Sequence, residues 1–228
     1  MSSGSARLSV VPWPGPEDGL TRLGQSHASA VIKRLFDLVL AALGLVLLSP
    51  VFLLVAAWIK LDSPGPVFFR QERVGRGGVP FRIHKFRTMQ QGLAGSNDRL
   101  ITVGDDPRIT RAGVWLRHSK LDEFPQLIDV LAGHMSLVGP RPEVPRYVAL
   151  YPEALRDKVL SVRPGITDLA SIEYRDESQR LARASDPERE YVEVVMPTKL
   201  RAAARYVDQM SLGTDLRVLV ATLRALLH

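Results

Sequence analysis

Two adjacent carboxylates, Asp122 and Glu123, stand shortly before Pro125, and Arg141 follows them in a Gly-Pro-Arg-Pro turn. Carboxylates hold Mg²⁺ or attack phosphorus, and arginine binds phosphate oxygens through paired hydrogen bonds. Because proline suits the first turn of a helix, we expect a helix to begin near Pro125, with both carboxylates just outside it. There both side chains can turn toward one site, whereas adjacent residues within a helix do not share a face. The stretch predicts phosphate chemistry; the alternative is that the pair only caps the helix.

Two neighbouring carboxylates repel each other unless a cation lies between them. Arg117 and Lys120 are the local basic candidates for that position. Mg²⁺ is the stronger candidate if the substrate is a diphosphate, because proteins bind this ion through one or two carboxylates together with substrate phosphates.

A second basic group is predicted at the end of a strand. Segments 67–73 and 79–86 are rich in Val, Phe and Ile, and the glycine-rich segment 75–78 separates them, which predicts a β-hairpin. Lys85 and Arg87 lie at the exit of the second strand, where they can reach a phosphate. The alternative is a solvated, basic edge strand.

An apolar segment upstream gives this chemistry a location. From Leu38 to Ile59 the chain carries no charge, and as a helix this segment is long enough to cross a bilayer core. The alternative is a helix buried in the protein core. Near its middle, Pro50 removes a helical hydrogen bond, and the Ser49 hydroxyl can satisfy a freed backbone group. Basic residues flank both ends, which favours both ends on the cytoplasmic face. We therefore expect a re-entrant helix-break-helix hairpin, with a kinked crossing helix as the alternative.

The composition fits a protein that binds phosphate or a membrane surface. Among 228 residues there are 30 Lys and Arg against 24 Asp and Glu, a net charge of +6, and the chain contains no cysteine. This balance suits phosphorylated substrates, anionic lipid or nucleic acid, and the lack of cysteine excludes disulfides and cysteine metal sites. Residues 1–30 are rich in Ser, Gly and Pro and are predicted to be a disordered tail, not a secretory signal.

The patterns as a whole predict a mainly α fold with a small β-hairpin (α+β). We expect a tail at 1–30, a re-entrant membrane helix at 31–60, and a cytoplasmic, membrane-associated catalytic domain at 61–228 on which the helix packs. Further helices are predicted over 109–117, from Pro125, over 144–150 and 153–162, from Pro187 and after a cap at Thr198, and 163–167 is predicted to be a turn. The leucines between 212 and 227 predict a last helix, which we expect to pack on the core; the alternative is that it lies on the membrane.

Six short motifs occur in one order, and together they resemble the bacterial sugar transferases, more narrowly the small monotopic phosphoglycosyl transferases. The resemblance extends from about residue 31 to the C-terminus, and its strongest block is 121–142. Several unrelated motifs in register are far more specific than any one of them. The motifs are Lys33-Arg34-x-x-Asp37, the Ser49-Pro50 pair, Lys85-Phe-Arg-Thr-Met89, Leu121-Asp-Glu-Phe-Pro-Gln-Leu127, Met135-Ser-Leu-Val-Gly-Pro-Arg-Pro142 and Arg163-Pro-Gly-Ile-Thr167.

The resemblance implies a re-entrant membrane helix and a reaction at the cytoplasmic face of the bacterial inner membrane. A sugar 1-phosphate moves from a UDP-sugar to polyprenyl (undecaprenyl) phosphate and UMP is released, as the first membrane step of glycoconjugate or exopolysaccharide synthesis. The family pattern carries over to Asp122 as the nucleophile of a covalent aspartyl-phosphosugar, to Glu123 as its assistant, and to Mg²⁺ near both. By the same resemblance the phosphate-binding residues are Lys85, Arg117 and Arg141, with Arg87 and Arg163 as weaker assignments.

The sequence also departs from the family pattern. Lys120 stands where many members carry a small hydroxyl residue, His134 replaces an acidic residue, and the run 168–172 replaces a common Gly-Trp-Ala-Gln segment, which leaves the identity of the sugar open.

The basic composition also fits a nucleic-acid-binding protein, but aromatic residues do not alternate with basic ones, so we expect no nucleic-acid partner. A catalytically inactive membrane scaffold for polysaccharide assembly is the remaining alternative. Whether the chain forms a homodimer stays open.

Overall fold

A computed structural model describes residues 27–90, 102, 104, 106–173 and 177–227, so most of the predicted tail lies outside the described residues. The fold is mainly helical with two small sheets, as the fold-class prediction expected. The helices are α1 His27–Asp62, α2 Arg111–His118, α3 Leu127–Leu131, α4 Pro145–Val148, α5 Glu153–Leu160, α6 Leu169–Glu173, α7 Glu177–Ala182, α8 Pro187–Glu190, α9 Met196–Asp208 and α10 Leu212–Leu227. The strands are β1 Phe68–Val74, β2 Pro80–Phe86, β3 Ser136–Val138 and β4 Gly165–Thr167; a 3₁₀ helix covers Leu121–Gln126 and a π-helical turn covers Tyr191–Val195.

Helix α1 begins before the predicted boundary at residue 31 and continues as one helix through Pro50. The predicted break in helical structure is therefore not confirmed. Pro50 has no N–H to donate to the carbonyl of Val46, and the Ser49 hydroxyl donates to that same carbonyl at 2.8 Å, as the sequence suggested. The helix thus tolerates an internal proline because a neighbouring side chain satisfies the freed acceptor.

Both halves of α1 pack on the rest of the protein, while the surface between them stays exposed. Ala41 is buried in a cluster with Val130 of α3, and Ile59 is buried in a cluster with Leu116 of α2. Among the described residues, α1 is the one helix long and apolar enough to cross a membrane, and 11% of its most apolar window is buried. The alternative of a buried core helix is therefore wrong. The exposed large apolar residues nearest to Pro50 are Val46, Leu47, Leu53 and Leu54.

The predicted hairpin is confirmed. Strands β1 and β2 pair antiparallel, with Phe68 opposite Phe86 and Val74 opposite Pro80. Buried Phe81 and Ile83 on β2 face the main core. This packing fixes the register of β2, so the residues at its end are held in defined directions.

A second sheet replaces the turn predicted at 163–167. Strands β3 and β4 pair parallel, with Ser136 opposite Gly165. The two backbones approach so closely that a Cβ atom added to Gly165 would lie 2.1 Å from the amide nitrogen of Gly139. Three-residue strands are too short to show an alternating pattern, which is why the sequence did not predict this sheet.

Several helix boundaries also differ from the predictions. Helix α2 begins after its N-cap Thr110, whose hydroxyl accepts the N–H of Gly113 at 3.0 Å. Helix α8 begins at Pro187 as predicted, whereas Thr198 is not a cap but lies inside α9. On α10, the expectation that the leucines face the core is wrong in part, because the core contact is made by Val218 and Leu219, while Leu216 and Leu223 are exposed.

Candidate active site

The acidic pair lies in the first turn of the 3₁₀ helix, not outside a helix as predicted. Lys85, at the end of β2, nevertheless reaches both carboxylates. Its Nζ atom lies 2.9 Å from Oδ2 of Asp122 and 3.1 Å from Oε1 of Glu123. Asp122 is 2% exposed, so the lysine compensates a carboxylate with little access to water. The long side chain of Lys85 thus holds together the carboxylates of Asp122 and Glu123, which adjacent positions in one helix would direct apart.

Arg141 also binds the second carboxylate. Its Nη1 donates to Oε2 of Glu123 at 3.0 Å and its Nη2 donates to Oε1 at 2.5 Å, the paired geometry that arginine forms with a carboxylate. Arg141 follows β3 in the Gly-Pro-Arg-Pro loop, which is held by the close approach of Gly139 to β4. The second sheet therefore positions this arginine.

The charges of the cluster stabilise one another. Burial raises the pKa of Glu123, but Arg141 and Lys85 outweigh burial and hold it well below its usual range. Burial lowers the pKa of Lys85, and the carboxylates of Asp122 and Glu123 outweigh burial and raise it. The pKa of Arg141 is raised chiefly by Glu123. The pair Glu123–Arg141 is consequently charged on both sides at neutral pH.

The acidic pair lines a cavity of about 610 Å³ together with two further kinds of side chain. The first kind is apolar and comes from α1, α10 and neighbouring core residues. The second kind is basic. The apolar lining residues are Leu40, Gly44, Leu48, Phe124, Leu127, Leu137, Ile166, Leu219, Leu223 and Leu226; the basic ones are Arg73, Lys85, Arg117, Lys120, Arg141 and Lys199.

Two of the predicted phosphate-binding residues lie elsewhere among the described residues. Arg87 is 2% exposed and does not line the cavity; its Nη2 donates to the carbonyls of Ser63 at 2.8 Å and Ile59 at 3.3 Å, and its Nη1 donates to that of Pro64. Arg87 therefore satisfies the carbonyls at the end of α1. Arg163 also does not line the cavity, and its Nε donates to the carbonyl of Gly133 at 2.9 Å.

The predicted residues Lys85, Arg117 and Arg141 do line the cavity, and the structure adds others that the sequence did not indicate. Arg73 of β1 forms a 2.9 Å ion pair with Glu143, which also accepts the hydroxyl hydrogen of Tyr191. Lys199 of α9 pairs with Glu177 at 2.6 Å. Glu143 was accessible to sequence reasoning because it follows the Gly-Pro-Arg-Pro turn, whereas Tyr191 and Lys199 belong to no motif and reach the cavity only through the packing of distant helices.

The acidic pair is also the available donor set for a metal. Within the described residues, no three acidic, histidine or cysteine side chains converge on one point. Asp122 and Glu123 alone fit an ion such as Mg²⁺, which takes one or two carboxylates and completes its coordination with substrate phosphates and water. They do not form an all-protein metal cage.

An acidic pair held by two cations, at a cavity with both basic and apolar lining residues, fits phosphate chemistry near a lipid, and comparison with known proteins names the family. The family model described as bacterial sugar transferase matches residues 28–228, and the chain belongs to this family. It is 37% identical over 219 residues to the UDP-glucose:undecaprenyl-phosphate glucose-1-phosphate transferase of Escherichia coli (strain K12), a match of 93% of this chain and 42% of that protein.

Shorter relatives are matched over more of their length. The transferase of the same name from Caulobacter vibrioides is 40% identical over 206 residues, which are 86% of this chain and 69% of the relative. The exopolysaccharide production protein PSS of Rhizobium leguminosarum bv. phaseoli is 38% identical over 198 residues, 84% of this chain and 93% of the relative. The chain therefore spans less than half of some relatives and nearly all of others.

Proposed function

We propose that this protein transfers a sugar 1-phosphate from a UDP-sugar to polyprenyl phosphate and releases UMP. The observation that carries the proposal is the buried Asp122, paired with Lys85, at a cavity that both basic and apolar side chains line. A basic surface suits a nucleotide diphosphate and an apolar surface suits a lipid, and the relatives named above include transferases whose names specify this donor and acceptor for glucose.

In the proposed first step, a carboxylate oxygen of Asp122 attacks the β-phosphorus of the donor. The bond from that phosphorus to the oxygen bridging the two phosphates breaks, and UMP leaves with the bridging oxygen. An aspartyl-phosphosugar remains on Asp122. Lys85 and Arg141 stabilise the negative charge around the reacting phosphorus, because cations fixed in place lose no reorganisation energy when charge develops.

In the proposed second step, a phosphate oxygen of the polyprenyl phosphate attacks the same phosphorus. The bond to the Asp122 oxygen breaks, which regenerates the carboxylate and forms a polyprenyl diphosphate sugar. Dividing the transfer into two displacements lets UMP depart to water before the lipid arrives. Glu123 holds Lys85 and Arg141 in position through both steps.

Mg²⁺ is the proposed cofactor, held by Asp122 and Glu123 with the phosphates of the donor. When bound, it supplies charge neutralisation at the diphosphate. The proposal is supported by the two-carboxylate donor set, since each of these carboxylates has oxygen lone pairs beyond those that accept from Lys85 and Arg141.

The apolar side of the cavity supports a lipid acceptor. Leu40 and Leu48 of α1 face the same space as Leu219 and Leu226 of α10, and this space continues to the acidic pair. An isoprenoid chain lying between the two helices would bring its terminal phosphate toward Asp122. The exposed apolar surface of α1 around Pro50 supports insertion of the same helix into the bilayer.

The packing of α1 supports a re-entrant topology rather than a crossing helix. Before the exposed stretch, Arg34 donates to the carbonyl of Val130 at 2.7 Å; after it, Asp62 accepts the N–H of Ala112 at 2.9 Å. Both ends thus contact the same catalytic domain, which favours both on the cytoplasmic face of the bacterial inner membrane. We propose that α1 bends at Pro50 when it enters the bilayer, because internal prolines are the usual cause of kinks in helices.

The proposed reaction is tested by UMP release. The full chain in nanodiscs is supplied with Mg²⁺, undecaprenyl phosphate and a panel of UDP-sugars that includes UDP-glucose. Release with one donor, together with loss in Asp122→Asn, supports the proposal. Labelled phosphosugar retained on the protein in the absence of acceptor identifies the covalent step, and the label must be absent from Asp122→Asn.

The control separates an inactive scaffold from a misfolded preparation. Asp122→Asn keeps the size of the side chain, so its thermal unfolding is compared with that of the unmodified chain. A folded, membrane-bound protein that releases no UMP with any donor in the panel contradicts the transferase proposal for those donors and favours the scaffold alternative.

The topology is tested with single cysteines, for which the cysteine-free chain needs no prior substitution. Ala30→Cys and Lys60→Cys lie near the two ends of α1. The re-entrant proposal expects a membrane-impermeant maleimide to label both in inverted vesicles and neither in spheroplasts. Labelling of one of them in spheroplasts shows a crossing helix.

A further inference from the structure

Lys120 stands out by its backbone. It is the one non-glycine residue with positive φ among the described residues, at φ 58°, two positions before Asp122. Its carbonyl accepts the N–H of Glu123 at 3.2 Å, so this conformation forms the start of the 3₁₀ helix that carries the acidic pair. A lysine in the left-handed region is more strained than a glycine or an asparagine would be. Strained backbone conformations of this kind concentrate at functional sites.

The Lys120 side chain lines the cavity beside the acidic pair and is half-buried. Among the residues that the structure describes, it forms neither an ion pair nor a side-chain hydrogen bond, and Arg117 shares this property. The other four cations of the cavity are paired with carboxylates. Lys120 and Arg117 are thus the two cations lining this cavity that form no close ion pair with a described residue, although the carboxylates of Glu123 and Asp122 act on Lys120 from a greater distance.

The charge balance of the cavity points to an anionic ligand. Among the described residues, six basic side chains and four carboxylates line the cavity, which leaves two positive charges in excess before any Mg²⁺ binds; the carboxylates are Asp122, Glu123, Glu143 and Glu177. A diphosphate with a substituent at each end carries two negative charges. A partly buried cation without a counter-ion is unfavourable, and an arriving diphosphate removes that cost.

We infer that Lys120 is a donor-binding residue which, together with Arg117, binds the diphosphate of the UDP-sugar. The inference rests on the proposed function and adds to it a specific contact. The left-handed backbone at Lys120 directs its side chain into the cavity while Asp122 remains two residues away in the 3₁₀ helix. Lys120 therefore places the donor for attack, and Lys85 and Arg141 act at the acidic pair itself.

The test is UDP binding to the full chain in nanodiscs, measured by calorimetry. Lys120→Asn and Lys120→Gly remove the charge and tolerate the left-handed backbone, whereas Lys120→Arg keeps the charge. We expect the Kd of UDP to rise about tenfold in the first two variants, the size of effect expected when a charged hydrogen bond to phosphate is lost, and its salt dependence to weaken. Lys120→Arg should retain most of the affinity.

Arg205→Gln is the matched control, because Arg205 is an exposed cation of α9 that does not line the cavity. We expect it to leave the Kd unchanged. We also expect Lys120→Gly to unfold at a higher temperature than the unmodified chain, because glycine relieves the backbone strain. Higher stability with weaker UDP binding distinguishes a binding residue from a structural one.

The outcomes separate this inference from the proposed function. If the unmodified chain binds UDP and the folded Lys120→Asn binds it equally well, the assignment of Lys120 is overturned while the transferase proposal stands. If the unmodified chain neither binds UDP nor releases UMP from any donor, the proposed function fails and the inference falls with it.

Discussion

The Nζ atom of Lys85 lies 2.9 Å from Oδ2 of Asp122, and this ion pair joins the end of the β1–β2 hairpin to the helix that bears the proposed nucleophile. The burial of Phe81 and Ile83 fixes the hairpin, and the carboxylates of Asp122 and Glu123 hold the ammonium group at its end. A small surface element thereby becomes part of the active site. The same lysine contacts Glu123, which keeps both carboxylates directed at one point.

Replacing Lys85 should therefore abolish most of the activity. We expect Lys85→Met to lower the rate of UMP release about 100-fold, the range found when one fixed electrostatic donor is removed from a reacting centre. Lys85→Arg should retain part of the rate, because the guanidinium group keeps the positive charge but is larger and planar, unlike the compact ammonium group. Stopped-flow or coupled UMP release measures both, and an unchanged rate in folded Lys85→Met argues against the role of this ion pair.

The Glu123–Arg141 pair predicts a pH dependence of stability. The folded-state pKa of Glu123 lies well below 4.5, its ordinary value. A carboxyl group with a depressed folded pKa stabilises the protein at pH values above its unfolded pKa, and this contribution is lost as the pH falls through the folded value. We expect the difference in free energy of unfolding between the unmodified chain and Glu123→Gln to be constant from pH 7 to about 5 and to shrink below about 4.5.

Thermal unfolding in buffers from pH 7 to pH 3 measures this difference. Glu190→Gln is a useful comparison, since that carboxylate pairs with Arg180 at a more exposed site. A difference for Glu123→Gln that grows as the pH falls contradicts the predicted sign.

Arg87 should prove to be a stabilising residue and not a substrate contact. It donates to the carbonyls of Ser63 and Ile59, and no other described side chain donates to these two atoms. We expect Arg87→Met to lower the free energy of unfolding by about 3 kcal/mol, because charged hydrogen bonds to buried acceptors are lost. The Kd of UDP for the folded variant should stay unchanged, and a large rise in that Kd restores the original assignment of Arg87 to phosphate binding.

The close contact of the two short strands predicts an intolerance of side chains. A Cβ atom at Gly165 would lie 2.1 Å from the nitrogen of Gly139, so Gly165→Ala forces β3 and β4 apart. We expect a loss of about 3 kcal/mol or more in the free energy of unfolding and a weaker Arg141–Glu123 pair, with reduced UMP release. Gly213→Ala is the control, because a Cβ there meets only the Ser211 hydroxyl at 3.8 Å; equal effects of the two substitutions contradict the packing argument.

The sequence by itself determined the elements whose signals are local. The uncharged run 38–59 predicted the long helix. Two segments rich in Val, Phe and Ile around a glycine-rich segment predicted the β1–β2 hairpin, and the order of the motifs predicted the acidic pair and Arg141. Each of these depends on neighbouring residues, whose period, charge and turn propensity are visible without knowledge of the fold.

Only the tertiary structure decided which cations share the cavity. Lys85, Arg87 and Arg163 were all predicted to bind phosphate, the last two as weaker assignments, yet Lys85 reaches Asp122 while the other two bind backbone carbonyls. Arg73 and Lys199 enter the cavity from β1 and α9 without any motif. The direction of a long side chain depends on packing between distant segments, and a linear sequence records no such direction, so a basic residue becomes a phosphate ligand or a helix cap only when the chain has folded.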